Sequence, residues 1–121
     1  MIDMSNVDMS NTPKNDVPHG TLDLVILKTL DTMGPMHGYS IARRIEQVSE
    51  KLVRLSQGSI YPALIRLEQQ GLISTKWGTS ETGRKVKLYS LTRTGAKRLH
   101  VEIENWERAT ALVARFLEGR S

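Results

Sequence analysis

Three histidines, His19, His37 and His100, are the side chains of this sequence best suited to moving protons near neutral pH. Their placement gives them no partners. His19 falls in a polar N-terminal stretch, His37 at the start of a helical run and His100 on the outer side of a final helix. No two share a helix face as metal ligands would, and no carboxylate pair or Ser–His spacing joins them. Cysteine is absent, which excludes disulfides, thiol catalysis and thiolate metal sites. The expectation is no catalytic residue, no metal and no cofactor.

What remains is the chemistry of recognition. Ser59, Tyr61, Pro62, Arg66 and Gln69 fall within one short run, and Arg84, Lys85 and Lys87 follow the turn residues Thr82 and Gly83. Arginine pairs bidentately with guanine and glutamine with adenine, and Ile65 can touch a thymine methyl. Ser59 near a helix start suits a phosphate held by free N–H groups, and the Tyr61 hydroxyl can donate to another. Three cations beside a glycine turn can follow a phosphate ridge, which gives salt-sensitive affinity without reading sequence. The same residues also fit plainer roles. Arg66 can be a solvated arginine, Tyr61 can pack on the first helix, and the lysines can protect an edge strand.

The elements that must position these groups are readable. Residues 1–19 contain three Asp and two Pro with no helical or strand period, and they are expected to form a flexible tail. Leu22, Val25, Ile26, Thr29 and Leu30 then put one face on a helix that Gly34-Pro35 stops. A second helix starts near Gly38, with Tyr39, Ile41, Ala42, Ile45 and Val48 as its apolar positions. Ser56-Gln57-Gly58-Ser59 supplies helix-start chemistry for a third, with Ile60, Leu64 and Leu67 inward, Pro62 in the first turn and Gly71 after its end. On that projection Gly58, Ser59, Pro62, Arg66 and Gln69 lie opposite the core, with Tyr61 and Ile65 on the flanks. A strand over Leu72–Trp77, with Trp77 assigned to the core, leads through a turn to a second over Arg84–Leu91. There Val86, Leu88 and Ser90 alternate with Lys85, Lys87 and Tyr89 on a wet face. Thr92 caps a last helix from Arg93 to about Glu118.

Three helices and a basic hairpin make a compact unit whose third helix fits the major groove while the hairpin grips the backbone. The expected fold class is mainly α with a small β-hairpin, a winged helix-turn-helix followed by a long C-terminal dimerisation helix. Residues 20–91 would form the DNA-binding domain and 92–121 the dimerisation helix. Charge agrees with a polyanion partner. The chain carries +4, and the tail has Asp3, Asp8 and Asp16 against Lys14, a net of −2, so the remainder carries +6. No run of about 18 apolar residues spans a membrane, and a cytoplasmic location is expected.

Leu99, Ile103, Trp106, Val113 and Leu117 make a near-heptad stripe on the last helix, widened by Leu112 and Phe116. Such a face needs a partner, and a second copy of the chain supplies one. A two-fold dimer sets two recognition helices roughly 34 Å apart, which predicts a palindromic operator. The alternative is a dimeric protein-interaction or small-molecule-binding module with little specific DNA binding, a reading supported by a wing of modest basic density.

Taken together these residues resemble a known family. Met36-His37-Gly38-Tyr39-Ser40-Ile41 is similar to the signature that opens the second helix of PadR regulators. Gly58-Ser59-Ile60-Tyr61-Pro62-Ala63-Leu64, Arg66-Leu67-Glu68 and Gly71-Leu72-Ile73 resemble their recognition helix. Gly83-Arg84, Tyr89-Ser90-Leu91-Thr92 and Gly95 resemble their wing and the start of their final helix. The match runs over about residues 20–118. It departs at Gln57, where the family often has proline, and at Val86, which separates two wing lysines. The resemblance implies a homodimer, usually a repressor released from double-stranded DNA by a small ligand, in the smaller subfamily without a further C-terminal domain. It also implies a role for Trp106, since some multidrug-sensing members stack aromatic effectors on a tryptophan at that place. The alternative for Trp106 is plain interface packing.

Overall fold

The computed structural model describes residues 19–49 and 57–119. Residues 1–18 of the expected tail and the helix-start residue Ser56 lie outside them, as do the side chains of His19 and Ser59. The element order is α1 (His19–Met33), β1 (Met36–His37), α2 (Gly38–Val48), α3 (Gln57–Gln69), β2 (Ile73–Thr79), β3 (Lys85–Leu91) and α4 (Arg93–Leu117).

Helix α1 buries Leu22, Ile26, Leu27 and Leu30. Leu27 replaces the expected Val25 and Thr29, because α1 is enclosed by α2, α3 and α4 and its inward arc turns toward Leu67 and Leu72. Val25 and Thr29 sit at the margin, where the Thr29 hydroxyl donates to the Val25 carbonyl at 2.7 Å. Helix α2 opens on His37, whose Nδ1 accepts from the Ser40 N–H at 3.4 Å, and it buries Ile41, Ala42 and Ile45. Tyr39 and Val48, read as apolar positions of α2, are both exposed. Helix α3 buries Ile60, Ala63, Leu64 and Leu67. Each buried Leu or Ile of these helices contributes about 1.5–3 kcal/mol.

The sheet has three antiparallel strands in the order β1-β3-β2, not the two of a simple hairpin. β1 adds two residues, with Met36 opposite Tyr89 and His37 opposite Leu88. A two-residue strand carries no period from which it could be read. β2 and β3 pair from Ile73↔Leu91 at the base to Thr79↔Lys85 at the tip. Gly83, at φ 82°, closes the turn by donating to the Ser80 carbonyl at 2.9 Å.

The base of the hairpin corrects one expectation. Tyr89 shares a sheet face with Lys85 and Lys87, but only the lysines stay wet; Tyr89 is buried because that face meets the helices at its base.

The passage into α4 is tightly specified. The Thr92 hydroxyl accepts from the Gly95 N–H at 2.9 Å and donates to the Gly71 carbonyl at 2.7 Å, while its own N–H donates to Leu72 O at 3.1 Å. One threonine therefore caps the last helix and ties it to the end of α3. Downstream, Leu99 is buried and Ile103 packs against the core. Past that point the large apolar side chains of α4 are open to solvent.

Candidate nucleic-acid interface

Helices α2 and α3 form the helix-turn-helix, and the outer surface of α3 is set by what its inner surface buries. With Ile60, Ala63, Leu64 and Leu67 inward, Pro62, Ile65 and Gln69 form the exposed ridge. Pro62 is not in the first turn. The helix begins at Gln57, so the proline lies inside it and removes one N–H that would bond to the carbonyl four residues back.

Arg66 does not share that ridge. The helical projection sets it opposite the core, but it occupies a flank, and its Nη2 donates to Asp23 Oδ1 of α1 at 2.5 Å. The two side chains are 31% and 23% exposed, partly withdrawn from water. The pair braces α3 against α1. Arg66→Ala and Asp23→Ala should each lower unfolding free energy by about 1–2 kcal/mol, with the double variant costing less than the sum. Urea denaturation of the three variants checks this, and strictly additive effects would contradict it.

The opposite flank of α3 faces the sheet. Tyr61 lies against the start of α2, where a Cβ placed on Gly38 would come within 3.0 Å of its ring. Its ring thus neighbours the second helix. Glu68 accepts from the Thr75 hydroxyl at 3.0 Å, which ties α3 to β2. Burial pushes the Tyr89 hydroxyl above its ordinary pKa, and the nearby Tyr61 and Glu68 push it the same way.

This contact fixes which face of the wing looks toward α3. Ile73, Thr75, Trp77 and Thr79 of β2 share that face with Leu91, Tyr89, Lys87 and Lys85 of β3. Its base is core and its outer half is exposed. Trp77, expected in the core, is 65% exposed because the strands run past the helices before reaching it. The Lys85 ammonium sits over the Trp77 ring at 6.0 Å from the centroid, and Lys87 over Tyr89 at the same distance. Arg84 is exposed at the turn. Along the stretch from Lys76 to Arg93 there are five Lys or Arg and one acid, Glu81. The expectation of a core Trp77 rested on its apolar character, and the register that sets it beside the wing lysines is not given by the two-residue period.

The model of the PadR-like transcriptional regulator family matches residues 26–101, which include the helix-turn-helix, the wing and the start of α4. The chain belongs to this family.

Several transcriptional regulators are similar to it. The chain is 38% identical over 89 residues to the transcriptional regulator YqjI of Escherichia coli, covering 74% of this chain and 41% of that one. It thus spans less than half the length of that relative. A transcriptional regulator from Clostridium thermocellum superposes with a TM-score of 0.73 at 30% identity, over 80% of this chain and 93% of that one. A PadR family regulator from Clostridium difficile gives 0.68 at 31% identity, over 79% and 97%. The fold is a winged helix, mainly helical, and no described helix is long and apolar enough to cross a membrane.

Away from the wing, this PadR-like chain has a groove of about 610 Å³ between α1, α2 and α4. Leu24, Val25, Met33, Val48, Ile103 and Trp106 give it apolar walls, with Lys28, Arg44 and Glu107 also lining it. Trp106 stands there half exposed. Of the stripe expected to pair two subunits, Leu99 is spent in the protomer's own core and Ile103 packs on it. Trp106, Leu112, Val113, Phe116 and Leu117 are exposed.

Proposed function

We propose that this PadR-like regulator binds duplex DNA as a homodimer, reading a palindromic operator with α3 and gripping the flanking backbone with the wing. One observation carries the reading: the lysine-bearing face of the wing is the face turned toward α3, and the exposed ridge of α3 has no carboxylate. A polyanion lying on α3 would meet Lys85 and Lys87 alongside it. In this reading Gln69 reads a base edge, Ile65 offers apolar contact to a thymine methyl, and Pro62 shapes the ridge. Ser59 and Tyr61 supply phosphate contacts near the helix start, and Arg84, Lys85 and Lys87 supply them from the wing. Arg66 acts by holding α3 at its angle on α1.

The exposed apolar length of α4 supports the dimer, since a face of that kind is covered in a stable protein. The groove supports the effector: Trp106 and aliphatic walls suit a small planar aromatic molecule. Because α1 and α4 both line it, a bound ligand would change how the dimer sets its two recognition helices. That is the behaviour of a repressor released by its effector, working in the cytoplasm.

Fluorescence anisotropy on a labelled duplex from upstream of the protein's own gene tests the assignment. Lys85→Ala should weaken that duplex and a scrambled one alike and reduce the slope of log K against log salt by about one. Gln69→Ala should cost about 1–3 kcal/mol on the upstream duplex alone and relax preference at one base pair. Unchanged binding by both variants would place the DNA surface elsewhere.

A further inference from the structure

Trp77 is an exposed tryptophan on a lysine-bearing strand face. It is not part of the buried core, and its cross-strand partner is Lys87. Its ring touches charge, not oil: the Lys85 ammonium lies over it, and it shares its face with Lys87 and Thr79. Covering a large apolar ring that stands in water gains free energy in proportion to the area buried. The cations around it name the chemistry of that cover, which must be anionic at its edge and apolar within.

The deoxyribose-phosphate backbone has this composition, with a carbon-rich sugar between two phosphates. Resting on the DNA-binding reading above, we propose that Trp77 is a sugar-contacting anchor of the wing, packing its indole on a deoxyribose beside the groove that α3 enters. Lys85 and Lys87 take the phosphates on either side. The cation–π contact holds Lys85 over the ring before DNA arrives, so less side-chain freedom is lost on binding. The base of the wing is fixed by the buried Tyr89 and by the Thr75–Glu68 hydrogen bond, so Trp77 stands on a rigid strand at a set height from α3.

The contact is apolar, and this separates it from those of its neighbours. Removing a phosphate-binding lysine lowers both the affinity and its salt dependence. Removing Trp77 leaves the number of cations unchanged, so affinity falls and the slope stays. Trp77→Ala and Trp77→Phe are compared with the full chain on a labelled 30-base-pair upstream duplex across a potassium chloride series. Alanine is expected to lose about tenfold in affinity at unchanged slope, and phenylalanine to lose less than about threefold. Trp77→Thr, which keeps strand propensity, gives the same reading if alanine disturbs the hairpin. Hydroxyl-radical footprinting, which reports the sugars directly, should lose protection at the flanks of the site while its centre stays protected. Affinity of the alanine and threonine variants within twofold of the parent would overturn the proposal. So would a slope that falls as it does for Lys85→Ala, because Trp77 would then be only a prop for the lysine. If the unaltered chain binds neither the upstream nor a scrambled duplex, the DNA-binding reading itself fails and this proposal with it.

Discussion

Gly95→Ala should lower the unfolding free energy by about 3 kcal/mol or more. A Cβ on Gly95 would stand 2.0 Å from the Leu72 carbonyl oxygen and 2.8 Å from Leu91 Cδ1. The first neighbour is backbone and cannot rotate away. It is also held in place, because the same carbonyl accepts the Thr92 N–H. Relief requires α4 to lift from the end of α3, which breaks the Thr92 cap and withdraws Leu99 from the core. Overpacking of this kind costs about 3 kcal/mol or more, a large part of what a domain of this size has. Gly78→Ala is the matched control. Its Cβ would meet Leu88 Cδ1 at 2.5 Å, but that is the end of a flexible side chain on the outer sheet face. Urea denaturation should show a loss for Gly95→Ala at least twice that for Gly78→Ala. Equal losses would mean that the approach of α4 to Leu72 is not a tight joint.

The second large effect concerns assembly. Val113 and Leu117 stand exposed one helical turn apart on α4, beside Leu112 and Phe116. If a second copy covers them, Val113→Glu with Leu117→Glu buries two unpaired carboxylates in an apolar contact. Each costs several kcal/mol, so the dimer should weaken more than about a hundredfold. Light scattering should then report twice the 13.6 kDa chain mass for the parent and the single mass for the double variant. Helicity should persist, since α4 is anchored through Leu99 and Ile103. A double variant that remains a dimer would move the subunit contact off this face.

The features legible in the sequence were those set by local chemistry. The 3.6-residue spacing of Ile60, Leu64 and Leu67, the Thr92 cap and the two-residue alternation of β3 each arise within one element. What escaped depends on where elements meet. Leu27 is buried because α1 is enclosed on more than one side, which its own periodicity does not report. Trp77 is exposed because the hairpin outruns the helices, and alternation gives a face without saying how far the core extends along it. Arg66 and Tyr61 lie on the two flanks of α3, and their partners Asp23 and Gly38 are set by the packing of α1 and α2. The exposed ridge of α3 is correspondingly narrower than the projection suggested, with Pro62, Ile65 and Gln69 open and Arg66 engaged.

The central claim is that the α3 ridge and the wing together read duplex DNA. Its most direct test is anisotropy of a labelled upstream duplex beside a scrambled duplex, each titrated with the full chain at two salt concentrations. The account predicts that both complexes weaken as salt rises, and that the upstream duplex binds more tightly at each concentration, with the preference surviving at the higher one. Equal affinity for the two duplexes, or binding to neither, would contradict it.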